Sequence, residues 1–264
     1  MSPPASGELH GVHAVVTRAT SGLGLAMARA LLGEGATVAI AARQTPRLER
    51  TGARLRADGL AAEPLPLDVR GPASVARAAE AIRAGRRSTP SSTAPASTCA
   101  PSTAAFSVPR SPSGRSSRRD GGDVVATNLT GYFLVARAFA PVLVKQGRGR
   151  FVTVTMSHET MRRRGFVPYG PSRAGAESRS LIMTEGLRPH GIAVNLLLPG
   201  GATLTEMIPD GLPEEQRSAL PPTKVMGPPI VFLASAEADG LTGERIVAAD
   251  WRQWLAARRG DRTP

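Results

Sequence analysis

The chain has 264 residues, enough for one large domain with a substantial core. Its single cysteine, Cys99, excludes an internal disulfide framework and suits a reducing, cytoplasmic setting. The net charge of +12 invites a nucleic-acid reading, but residues 81–119 alone hold seven arginines and no acid, with no aromatic interleaving for base stacking, so no nucleic-acid partner is expected.

The opening "MSPPASGELHG" lacks the charged and apolar regions of a secretory signal. No uninterrupted apolar stretch nears the roughly 18 residues of a membrane span, so no membrane partner is expected. Residues 13–17 form a β-branched strand, 23–32 a helix with apolar spacing ended by Gly33 and Gly35, and 37–41 a second strand. That is a βαβ unit, which needs parallel strands and a right-handed crossover. A helix over 45–57, a strand over 62–67 and a helix from 72 to about 83 follow. After an irregular stretch the alternation resumes with a helix over 124–144, a strand in "RFVTVTM" and a helix over 172–187. It closes with a strand in "IAVNLLLPG", a helix in "IVFLASAEA" and a last strand in "RIVAAD". The pattern predicts an α/β fold, a doubly wound Rossmann-type parallel sheet, in a single domain over 1–264.

Three places carry residues suited to chemistry. The first βα turn, "TRATSGLG", runs from Thr17 to Gly24, and Gly22 and Gly24 let backbone approach a pyrophosphate while the next helix points its positive end there. A turn whose glycines merely allow positive φ is the plain alternative. The second strand ends in "AAR", with Arg43 where an acid would hold a ribose 2′-hydroxyl. Arg43 could pair bidentately with a 2′-phosphate, which favours NADP(H) over NAD(H), or it could be a solvated surface residue. In "PYGPSRAGAE", a helix starting near Pro168 puts Tyr169 and Arg173 on one face, one turn apart. A cation beside a phenol favours the phenolate, as a general acid/base needs, although such a spacing also occurs as an ordinary helix-surface pair.

Together these segments resemble the short-chain dehydrogenase/reductase family of NAD(P)-dependent enzymes, over nearly the whole chain. The family's Thr-Gly-x-x-x-Gly-x-Gly motif is similar to Thr17–Gly24, with Arg18 in place of the first glycine. The resemblance makes Thr17, Ser21, Gly22, Leu23 and Gly24 cofactor-binding, with Arg18 placed either to crowd the adenosine or to reach a phosphate of the cofactor, and adds Asp68 and Val69 of "PLDVR" and Pro199 and Gly200 of "VNLLLPGG". The helix asparagine falls on Asn128, and Tyr-x-x-x-Lys falls on Tyr169 to Arg173, with arginine for lysine. It implies that Tyr169 moves a proton on the substrate oxygen, a serine steadies that oxygen, Arg173 takes the lysine role and Asn128 holds a relay water. The family's serine position falls on Met156, so Ser157, one place late, is favoured over Thr155, one place early. A small alcohol or carbonyl substrate, no metal, and a homodimer or homotetramer through the helices at 124–145 and 169–187 are implied. Residues 203–223 are expected to form the substrate lid. A rival from another class is a catalytically impaired relative that serves as a binding or interaction protein; Arg18, Arg173 and the loss of the family's fourth strand argue for it, and cofactor titration separates the two.

The segment 86–119 departs from all this. From Ser88 to Arg119, 24 of 32 residues are Ser, Thr, Pro or Ala, five of them proline, where the family has a central strand. Proline lacks the ladder donor, so no central strand is expected within 88 to about 118. Read with codons offset from Arg87, suitable free bases spell Ile-Asp-x-Leu-Val-Asn-(Gly or Ser)-Ala-Gly-Val-Asn, close to the family's motif. A frameshift ending near Asp120 accounts for the segment better than a designed linker does.

Overall fold

The computed structural model describes residues 7–87, 96–100, 118–205 and 213–260. Its first half runs β1 (His13–Thr17), α1 (Gly22–Gly33), β2 (Thr37–Ala42), α2 (Pro46–Ala57), β3 (Ala62–Pro66), α3 (Pro72–Arg87) and β4 (Ala96–Ala100). Next come α4 (Arg118–Val125), a π-helical turn (Ala126–Thr130), α5 (Gly131–Gln146), β5 (Gly149–Val154), α6 (His158–Met161) and α7 (Tyr169–Leu187). The chain closes with β6 (Ile192–Leu198), α8 (Glu214–Ser218), α9 (Gly227–Ala234), β7 (Arg245–Val247) and α10 (Trp251–Gly260). All seven strands are parallel, in the order β3-β2-β1-β4-β5-β6-β7.

The sheet is buried on both faces, which is why β1 and β6 read as nearly continuous apolar runs rather than alternating ones. On one face Met27 and Leu31 of α1, Leu48 and Leu55 of α2, Ile230 of α9 and Trp251 of α10 pack against Val16, Ile40 and Leu197. On the other, Val75 and Ala79 of α3 and Val135, Phe139 and Leu143 of α5 pack against Val15, Phe151 and Val194. The doubly wound architecture expected from the sequence is the one observed.

One expectation fails. Ala96–Ala100 does form a strand, and it lies at the centre, paired with His13 to Val16 of β1 on one side and with residues 150–153 of β5 on the other. The prolines explain how. Pro95 and Pro101 bracket five residues that all keep their N–H groups, so "ASTCA" can supply a full ladder where the wider segment cannot. The rest of 88–117 lies outside the described residues.

Other differences are of extent. The predicted helix over 124–144 joins α4 and the π turn in one longer helical run, and α7 begins at Tyr169 rather than at 172. Gly121–Gln146 is long and apolar enough, by length and composition, to cross a bilayer. In the fold it is a layer helix whose Tyr132, Val135, Phe139 and Leu143 are buried. The sequence reading did not foresee α10, whose Trp251 and Trp254 stack on each other and edge onto Phe232.

Candidate active site

The carboxyl ends of β1, β2, β5 and β6 bring most of the singled-out residues to one edge of the sheet, the place where parallel α/β sheets bind ligands. After Thr17 the chain turns through Arg18 (φ +55) and Gly22 (φ +54) into α1. A side chain on Gly24 would put a carbon 2.5 Å from the Arg18 carbonyl oxygen, so only glycine lets α1 lie this close to the turn. Ser21 stands at the helix N-cap with no side-chain capping bond, and no acid occupies the first turn. Leu23 points into the core instead. The turn therefore fits a dinucleotide's phosphates: the backbone is close, the first amides of α1 have no side-chain cap, and no acid occupies the first turn.

Arg43 lies exposed, one residue beyond β2. Asp68 is less available than expected. Arg70 clasps its carboxylate with Nε at 3.1 Å, Nη2 at 2.8 Å and its own backbone N–H at 3.0 Å, and also reaches Asp123 at 3.3 Å. These bonds, first the side-chain ones, hold the Asp68 carboxyl below the usual carboxylate range. Val69 packs against the α5 start, close to Gly131. Gly200 follows β6 and Pro199 in positive φ (+98). Thr205, in the expected lid, comes within 3.5 Å of where a Gly22 side chain would begin, so this segment passes over the glycine turn. Residues 206–212 of the lid, with Met207, Ile208 and Leu212, lie outside the described residues.

Tyr169 opens α7 and Arg173 follows one turn on, as the spacing predicted. Arg173 is 2 % exposed and donates from Nη2 to the Tyr169 hydroxyl at 3.3 Å. Its Nη1 donates to the Tyr132 hydroxyl at 3.1 Å and to the Val154 carbonyl at 2.9 Å. Burial works against its charge, but the two phenols it grips more than offset this and hold its proton more firmly than usual. A guanidinium so placed stabilises negative charge developing on the Tyr169 oxygen.

Asn128 sits in the π turn, fully buried. The widened turn aims it inward, as such turns do at functional sites. Its Nδ2 donates to Ser172 Oγ at 3.3 Å, and Ser172 Oγ donates in turn to the Tyr169 carbonyl at 2.7 Å. Asn128 Oδ1 has no hydrogen-bond partner among the described residues. A buried acceptor left open beside Tyr169 suits a water.

The serine candidates resolve partly. Thr155 donates to Glu177 Oε2 at 2.7 Å, so its hydroxyl is committed. Ser157 caps α6, with its Oγ 2.8 Å from Thr160 Oγ1 and 3.2 Å from the Thr160 amide it accepts from. Sequence reasoning missed Tyr132, Arg70, and the buried carboxylate of Glu177. Glu177 accepts from His158 Nε2 at 3.0 Å and from Arg245 Nε at 2.8 Å. Arg245 also donates to the Met156 carbonyl at 2.7 Å, so the pair fixes the segment carrying Ser157. Desolvation pushes the Glu177 carboxyl up, but its three hydrogen bonds outweigh that and leave it below the usual range. The one available signal was spacing: Glu177 lies eight residues, about two turns, after Tyr169.

A doubly wound sheet with an uncapped glycine turn and a tyrosine–guanidinium pair at its carboxyl edge defines a nucleotide-linked oxidoreductase of the Rossmann class. The chain belongs to the short-chain dehydrogenase family, whose model matches residues 12–215. Over 200 residues it is 28 % identical to gluconate 5-dehydrogenase of Gluconobacter oxydans, covering 76 % of this chain and 75 % of that one. It is 31 % identical over 249 residues to the 2,5-dichloro-2,5-cyclohexadiene-1,4-diol dehydrogenase LinX of Sphingobium indicum, covering 89 % and 93 %. Among solved structures, a gluconate 5-dehydrogenase from Burkholderia cenocepacia in complex with NADP and tartrate superposes with a TM-score of 0.79 at 24 % identity, over 93 % of this chain and 96 % of that one. The protein is accordingly an NAD(P)-dependent oxidoreductase acting on small alcohol or carbonyl substrates.

Proposed function

We propose that the protein interconverts a secondary alcohol and its ketone with Tyr169 as the acid/base, using NADP(H) in preference to NAD(H). The observation that carries this reading is the Tyr169–Arg173 hydrogen bond, 3.3 Å long, at the end of the sheet that holds the glycine turn. Thr17, Ser21, Gly22, Gly24, Val69, Pro199 and Gly200 would hold the dinucleotide, with Arg43 at its 2′-phosphate. When bound, the nicotinamide supplies or accepts the hydride. Tyr169 donates the proton to the substrate oxygen on reduction and removes it on oxidation, and Arg173 stabilises the phenolate that results. Asn128 Oδ1 holds a water that returns the proton, and Ser157, turning from Thr160, steadies the substrate oxygen.

A homodimer or homotetramer through α5 and α7 is part of the same reading. Phe133, Leu181 and Ile182 on these helices are 48 %, 45 % and 70 % exposed. Beside them Arg179 lies over the Tyr132 ring, its Nε and Nη1 without hydrogen-bond partners among the described residues, and burial pushes it down to about 10. A facing subunit would supply acceptors. A cytoplasmic location rests on the lone cysteine.

Tyr169→Phe tests the assignment. Turnover of gluconate or another secondary alcohol should fall by about 10²–10⁴-fold, the usual weight of a general acid/base. NADPH affinity should stay within twofold, because the phenol acts on substrate. An active Tyr169→Phe variant would show that another group moves the proton.

A further inference from the structure

We infer that Arg18 is a side-chain ligand for a diphosphate, gripping the group that the glycine turn cradles through its backbone. This rests on the dinucleotide reading above and assigns a role to a residue that departs from the family's pattern.

Arg18 is the only non-glycine residue with positive φ among the described residues. L-residues with a β-carbon adopt that region reluctantly, and such outliers gather at functional sites. The turn cannot relax, because Gly24 lies against the Arg18 carbonyl and fixes the backbone there. Arg18 lines a cavity with Val69, Thr127, Gly131 and Tyr132, and the Tyr132 hydroxyl is the one that Arg173 holds at 3.1 Å. The charged and titratable groups facing Arg18 are Arg173, Arg43, Tyr132 and Tyr169. Among the described residues no carboxylate pairs with it. Burial, and then the neighbouring Arg173, weakens its hold on its proton.

An arginine keeps its proton regardless, so the half-buried charge and its like-charged neighbour remain unfavourable until an anion arrives. A phosphate suits the planar fork of a guanidinium. The start of α1, which follows Arg18 in the same turn and has no side-chain cap, can complete the grip. The opposite possibility, that Arg18 merely plugs the groove, predicts the reverse effect on affinity.

The test uses the full chain, its Arg18→Gly and Arg18→Lys variants, calorimetric titration and thermal unfolding, with inorganic pyrophosphate and NADPH as probes. In buffer free of multivalent anions, Arg18→Gly should raise the unfolding temperature, since it removes a left-handed residue and a like charge. Pyrophosphate should stabilise the parent chain and leave Arg18→Gly unmoved. NADPH should bind Arg18→Gly about tenfold more weakly, the size of one charge-assisted hydrogen bond, with Arg18→Lys between the two. Tighter or unchanged NADPH binding by Arg18→Gly overturns the inference, as do equal pyrophosphate responses in the two proteins. If neither protein binds NADPH while pyrophosphate still stabilises the parent alone, the cofactor reading fails and the Arg18 site stands, with free diphosphate as its ligand.

Discussion

The two sides of the sheet's centre are built differently. On the side of β5, α7 and β6 almost every strand position is buried, and polar contacts are specific: Thr155, His158 and Arg245 converge on Glu177, while Tyr132, Val154 and Tyr169 converge on Arg173. On the other side β4 is five small residues between two prolines, held by its ladders to β1 and β5. One region is described by specific side-chain contacts and the other by its backbone ladders. A parallel sheet closes its centre as long as a few consecutive N–H groups are free, but such a strand adds little apolar burial to the core.

The largest test of this contrast is to restore the offset frame over 88–119, which puts Ile, Leu and Val where Ser, Thr and Pro now stand. Each such side chain contributes about 1.5–3 kcal/mol when buried, so a gain of roughly 5 kcal/mol is expected. For a domain of this size that is a rise on the order of 10 °C in Tm. NADPH-linked turnover should rise with it. No gain in either would mean that the segment as written is a working design.

Next comes Thr98→Pro. Removing a ladder donor at the centre of β4 should cost about 1–3 kcal/mol by denaturant unfolding, the penalty of a ladder acceptor left unsatisfied. An unchanged midpoint would show that β4 carries no part of the stability.

Glu177→Ala should cost about 2–4 kcal/mol at neutral pH, since it strands Arg245 and frees Thr155 and His158. The sign with pH follows from a carboxyl held below its ordinary range. The parent's advantage is present above the unfolded glutamate's pKa and disappears as pH falls through the lower folded value. Parent and variant curves of stability against pH should therefore converge on the acid side. A gap that persists undiminished into acid would assign the loss to packing rather than to the charge.

The smallest effect is confined to cofactor choice. Arg43→Asp should weaken NADPH by about 1.5–3 kcal/mol and reverse its order with NADH, leaving Tm nearly unchanged. Equal affinities for the two cofactors in the parent would remove Arg43 from the 2′-phosphate.

The alternation of apolar strands with helical spacing determined the doubly wound fold by itself, because a period of 2 or 3.6 residues and a glycine turn are local properties. The same locality made Tyr169 and Arg173 legible as a pair, since four residues on a helix are neighbours wherever that helix lies. Contacts between elements distant in sequence were not legible. Arg70 reaches Asp123 on α4, Tyr132 shares Arg173 from α5, and Arg245 reaches Glu177 from the edge strand. In sequence each of these looks like an ordinary polar or aromatic residue. Nor could composition show that "ASTCA" would close the sheet's centre, because that was decided by vacant ladder positions on β1 and β5, which exist only once the other strands have assembled.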